Sequence, residues 1–144
     1  MSRMRGFTLV EMLLSVSIIT LLVGLSVPVY ATFVGRNDLD VTRQGLVEAL
    51  RRAQTYARAV DGDSTWGVAI LSSQAVLFKG ASYATRDAAF DEIIPMGGNV
   101  TNTGGEIVFS KLSGTPNASA STTLTQTTTN DSRTVTINAK GMVE

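Results

Sequence analysis

From Phe7 to Val34 the chain runs for 28 residues with a single charge, Glu11. Such an apolar run predicts a helix of about 42 Å at ~1.5 Å per residue, longer than the roughly 20 residues that a bilayer core requires. Beyond it the pattern turns amphipathic. Leu39, Leu46, Leu50, Ala53 and Ala57 follow steps of seven, four, three and four, the spacing of one helix face. Arg43, Arg51, Arg52 and Arg58 can face away. Together the two patterns predict one long helix from Phe7 to about Ala59, ended by the turn-rich DGDS at 61–64. Strand-like segments follow. WGVAIL (66–71) and QAVLFK (74–79) flank Ser72-Ser73 as a hairpin, EIVFSK (106–111) reads as a third strand, and TTLTQTTT (122–129) with RTVTIN (133–138) flank a second turn. Gly141 to Glu144 offers a short closing strand, while 95–105 and 113–121 have loop compositions. The expected fold is α+β: a long N-terminal helix, apolar then amphipathic, packed against an antiparallel sheet. The implied organisation is a leader at 1–6, an apolar transmembrane or assembly helix at 7–34, and a globular head at 35–144 that includes the second half of the helix.

Composition narrows the chemistry. The 144 residues contain no cysteine and no histidine. A disulfide framework is therefore excluded, and the commonest general base and metal ligand are missing. Net charge is zero but segregated. Gly35 to Val60 carries five arginines against three acids, a net of +2, and Asp61 onward carries five basic residues against eight acids, a net of −3. A head that binds phosphates would run the other way, so nucleic acid is not an expected partner. Asp91 and Glu92 read as surface. Such a stem and head can be complementary between stacked copies, with Arg51 and Arg52 set against Asp91 and Glu92; solvated faces without a partner are the plain alternative. Asp61 and Asp63 are turn formers before they are a calcium site. Ser and Thr fill eight of eleven positions from Ser119 to Thr129, with no histidine to activate any of them. They read as polar strand faces, with glycosylation or adhesion as the other uses; NVT (99–101) and NAS (117–119) fit a weak sequon. No catalytic residue, cofactor or metal is expected.

Glu11 is the puzzle of the apolar run, because an acid deep in a bilayer costs roughly 2.5–3.5 kcal/mol, less near an end. Three plain readings are open. VYA at 29–31 resembles a signal-peptidase site, although the run far exceeds the ~7–15 residues of a secretory core. A single-pass anchor has no use for the acid. Glu11 is also tolerable by accident near the interface. A fourth reading gives it a purpose. If the chain is cut after Gly6, Phe7 gains a new amino group, and Glu11 lies four residues on. The carboxylate can then pair with that amine or with the amine of a neighbouring identical helix, and a paired acid in a low-dielectric bundle fixes axial register. Arg3 and Arg5 on the N-terminal flank place that end in the cytoplasm and the bulk of the chain outside.

The segment RGFTLVEMLLSVSIITLLVGLSVPVY, Arg5 to Tyr30, resembles the N-terminus of type IV pilins and of type II secretion pseudopilins. That resemblance implies cleavage between Gly6 and Phe7 by a prepilin peptidase, N-methylation of Phe7, and a register-setting role for Glu11 against a neighbour. Gly24 and Pro28 both weaken helix interiors, and the resemblance places a helix break there. More weakly, ALRRAQTYARA, WGVAI and RTVTINAKGMV resemble the H-type minor pseudopilins and FimT-like minor pilins, with Met142 where that branch often has Arg. The implied function is a structural subunit, not an enzyme. It would be held in the inner membrane by a single pass, N-terminus inside and head outside, then assembled with copies of itself or other pilins into a filament in the periplasm or on the cell surface. The alternative is a minor or tip pilin whose head is a binding module for DNA uptake, adhesion or contact with a secreted substrate.

Overall fold

The structure, a computed structural model, describes residues 6–144 apart from the side chains of residues 26–28. Helix α1 runs from Leu9 to Ala59. It starts two residues later than the sequence pattern predicts, because Thr8 acts as its N-cap: the Glu11 N–H donates to Thr8 Oγ1 at 3.3 Å. It ends where Val60 takes a left-handed φ of 57°, followed by Gly62 at 61° and Asp63 at 54°. The Leu112 N–H then caps the Ala57 carbonyl at 3.0 Å.

The chain falls into two compact units that divide between Val34 and Gly35. In the first, the described apolar side chains of α1 are exposed, Leu13, Ile18, Leu22 and Phe33 among them. The hydroxyls of Ser15, Ser17 and Thr20 donate to the carbonyls of Glu11, Leu13 and Val16 at 2.7–2.8 Å, so these polar groups are satisfied within the helix itself.

The second unit, Gly35–Glu144, holds two antiparallel sheets rather than the single sheet expected. One has the order β3-β2-β1-β5, from β1 (Trp66–Ile70), β2 (Gln74–Lys79), β3 (Asp87–Pro95) and β5 (Gly105–Phe109). The other has the order β4-β6-β7, from β4 (Val100–Asn102), β6 (Ala120–Gln126) and β7 (Ser132–Ile137). Each sheet turns one face to the same core. Leu39, Leu46, Leu50, Ala53 and Ala57 of α1, the residues picked out by helical spacing, are at most 1% exposed, among Val68, Leu77, Phe109, Leu124 and Ile137. Burying one such large side chain contributes about 1.5–3 kcal/mol. Two strands were not foreseen. β3 is an edge strand whose register against β2 breaks between Leu77 and Lys79, so that 88–91 bulge opposite Phe78. β4 is three residues long and lies inside the segment expected to be loop.

Strand edges are closed by irregular chain. The Asn117 N–H donates to the Val108 carbonyl along β5, and the Glu144 and Thr136 backbones exchange bonds of 2.9 Å along β7. The expected closing strand at 141–144 is thus reduced to a bridge between Ile137 and Val143. β3 and the three-residue β4 keep outer edges without a strand partner among the described residues.

Candidate functional site

The N-terminal segment is where sequence and structure converge. Gly6, Phe7 and Thr8 precede the helix, and Phe7 is exposed. Phe7 is therefore outside the first turn, not on one helical face with Glu11. Thr8 and Glu11 form a T-x-x-E pair, the signature of a capping box. A first-turn acid is also favoured by the helix dipole, so Glu11 has a local role that the apolar pattern hid. The motif was readable in the sequence and was missed. From Leu9 onward the described apolar side chains of the first unit are exposed. α1 is long and apolar enough to cross a membrane by length and composition. It continues through Gly24 and residue 28 without interruption. Arg3 and Arg5 of the leader, and the ring of Pro28, lie outside the described residues.

In the second unit the segregated charges find partners inside one subunit. Arg36 pairs with Asp131 at 2.9 Å, Arg133 with Asp40 at 2.9 Å, and Arg52 with Glu92 at 2.5 Å. All three connect α1 to a sheet or its turns. Glu92 is thus not a free surface acid. Asp91 is not free either, since it takes Arg86 Nε at 2.7 Å while that guanidinium stacks 3.8 Å from the Tyr83 ring. Of the set Arg51, Arg52, Asp91 and Glu92 expected either to meet between stacked copies or to stay solvated, Arg52, Asp91 and Glu92 thus have partners within the subunit. Distance along the chain hid these pairs, because Arg36 and Asp131 stand 95 positions apart. The hydrogen bond from Arg36, helped by Thr129 and the charges of Arg36 and Arg133, holds Asp131 below the ordinary carboxylate value of 3.8. Lys111 does the same for Asp63, so DGDS is engaged by a lysine. No group of three or more acidic, histidine or cysteine side chains among the described residues is placed to hold a metal.

The Ser/Thr-rich stretch forms the outward face of the β6–β7 pair. Ser121 stands opposite Thr136, Thr123 opposite Thr134, and Thr125 opposite Ser132, while Thr122, Leu124 and Gln126 point into the core. The face is uncharged, and Arg133, the cation nearest to it in sequence, is spent on Asp40. Of the two sequons, Asn117 is occupied: its Oδ1 accepts from the Val108 and Ala118 N–H groups. Sequence reasoning also missed Gln54. Its Nε2 donates to the carbonyls of Gly114 at 2.9 Å and Gly141 at 3.0 Å, tying two loops to α1.

Residues 1–27 match the family model described as the prokaryotic N-terminal methylation motif. The match indicates a precursor of the type IV pilin or pseudopilin kind, a structural class, and with the apolar helix it supports a membrane-anchored precursor. No curated protein and no solved structure matches the chain.

Proposed function

We propose that the chain is the subunit of a type IV pilus or type II secretion pseudopilus. It is made as a single-pass inner-membrane precursor, N-terminus inside and head outside. A prepilin peptidase cuts between Gly6 and Phe7 and methylates Phe7, and the apolar segment at 7–34 then packs with copies of itself or other pilins into a helical filament. The observation that carries this reading is the coincidence of the methylation motif at 1–27 with a helix whose apolar surface its own chain leaves bare. Such a surface needs lipid before assembly and neighbouring helices after it. In the filament Glu11 meets a neighbour's N-terminal amine, and α1 loosens near Gly24 and Pro28. A second reading, a minor or tip subunit that acts as a binding module, is favoured by the uncharged hydroxyl face of β6 and β7, which suits a neutral ligand and not nucleic acid.

Intact-mass measurement after co-expression with a prepilin peptidase tests the processing. Loss of residues 1–6 with a methylated Phe7 is expected, and a bulky residue at Gly6 should block it. A full-length chain beside an active peptidase, or a cut after Ala31, sinks the proposal. Glu11→Leu separates the two roles of the acid. If Glu11 pairs between subunits, the variant inserts into the membrane but forms few filaments, and Glu11→Gln is intermediate. If Glu11 only serves the helix start, filaments counted by electron microscopy are as numerous as those of the parent.

A further inference from the structure

One seam in the second unit is built unlike the rest. On one side stand Gly35, Arg36 and Asp40 of α1; on the other stand Gln126, the turn after it, Asp131 and Arg133. Two ion pairs cross the seam, Arg36 Nε to Asp131 Oδ2 and Arg133 Nε to Asp40 Oδ1, each 2.9 Å. Arg36 and Asp40 are one helical turn apart, and Asp131 and Arg133 are two residues apart where β7 begins. The four charges therefore alternate in sign around a square.

Next to the square lies Gln126, 1% exposed, whose Oε1 has no hydrogen-bond partner among the described residues. It packs so closely on Gly35 that a Cβ at Gly35 would stand 2.8 Å from Gln126 Nε2. The turn closes through Gln126 N–H to the Asp131 carbonyl and Asn130 N–H to the Gln126 carbonyl, both 2.9 Å, with Asn130 at a left-handed φ of 55°. These features make closure marginal. Half-exposed ion pairs are individually weak and screened by salt, a buried amide oxygen without a partner opposes burial, and glycine inside a helix lowers its stability. Leu39, between Arg36 and Asp40, is the seam's own apolar anchor, whereas farther along α1 Leu46, Leu50, Ala53 and Ala57 are all held by apolar burial.

We infer that this seam is a salt-releasable latch. When the β6–β7 turn lifts, Gln126 gains water and α1 loses the packing that keeps Gly35 helical. The helix then loosens at Gly35, the first residue of the second unit. Its use rests on the assembly reading, because a subunit that passes from a membrane into a filament must adapt α1 to new neighbours. The latch lets the 35–40 turn of α1 loosen in transit and holds it helical once closed.

Amide hydrogen exchange on the full chain in detergent micelles tests this, with the Gln126, Thr127 and Asn130 amides as reporters and the central amides of β1 and β2 as the reference. Raising salt from about 0.05 M to about 0.5 M shortens the screening length from roughly 14 Å to roughly 4 Å. With two pairs weakened, reporter exchange should rise about three- to tenfold, with the reference unchanged. Arg36→Asp should give the fast exchange already at low salt, and adding Asp131→Arg should restore both protection and salt dependence. Gln126→Leu, which removes the orphan amide, should slow the reporters. Reporters that ignore salt, or that move together with β1 and β2, overturn the latch, as does an Arg36→Asp chain with parental exchange. The measurement uses unassembled subunits, so its failure is distinguishable from failure of the filament reading.

Discussion

Gln54 offers the sharpest test of how the head stays closed without a disulfide. One side-chain amide donates to two backbone carbonyls, those of Gly114 and Gly141, from loops 60 and 87 positions away. Both glycines are buried and take positive φ, 62° and 82°, and no other donor reaches either carbonyl among the described residues. A net hydrogen bond contributes about 0.5–1.5 kcal/mol, and an orphaned buried acceptor costs about 1–3 kcal/mol. Gln54→Leu keeps the bulk and removes both donors, so a loss of about 2–4 kcal/mol is expected. For a unit of this size that is a fall in Tm of roughly 10–15 °C. Gln54→Glu should be worse, because it sets acceptors against acceptors. Urea unfolding of the full chain in detergent, followed by Trp66 fluorescence, reads the difference. A Leu variant within about 0.5 kcal/mol of the parent, or a Glu variant as stable as the parent, would show that the two loops are held by something else.

Ala53→Leu should cost about 1–3 kcal/mol by overpacking, because Ala53 is fully buried between α1 and the sheets; a neutral result in thermal melts would mean that the helix can back away. Reversing one partner of the Arg52–Glu92 pair should cost no more than about 1 kcal/mol, and the swap Arg52→Glu with Glu92→Arg should recover it, since the pair is half exposed. A double-mutant cycle on unassembled subunits would detect this coupling, which a contact between copies would not produce. Asp131, whose carboxyl is depressed by Arg36, contributes stability that is complete above the ordinary value of 3.8 and fades as pH falls through the lower folded value. The stability gap between the parent and Asp131→Asn should therefore shrink in acid, and a gap that widens there would contradict the assignment.

The helix and its buried face were legible because Leu39, Leu46, Leu50, Ala53 and Ala57 repeat at a local period that burial alone enforces. β1 and β2 were legible as short apolar runs on either side of Ser72-Ser73, and β5, β6 and β7 as strand-like segments bounded by loop compositions. β3 was not, since DAAFDEIIP is a bulged edge with no strict alternation, and β4 exists only through its pairing with Gln126, Thr125 and Leu124. The division into two sheets depends on which strands meet across distance, and no local pattern carries that. In the N-terminal segment the charge of Glu11 and the Gly6-Phe7 step could be read directly, while the Thr8 cap was overlooked beside the larger apolar signal. Gln54, Gln126 and the ion pairs of α1 owe their roles to loops that fold back from far along the chain.

The closed strand edges bear on how such a chain survives crowding. With Thr115–Asn117 lying along β5 and Met142–Glu144 along β7, two of the sheet borders offer no free backbone row to another molecule. The outer border of β3 is interrupted by its bulge and by Pro95, which has no N–H to give. Cross-β growth needs flat, continuous borders. Copies of this chain gathered at high local density therefore find only short or interrupted borders for amyloid-type stacking, the bulged β3 and the three-residue β4.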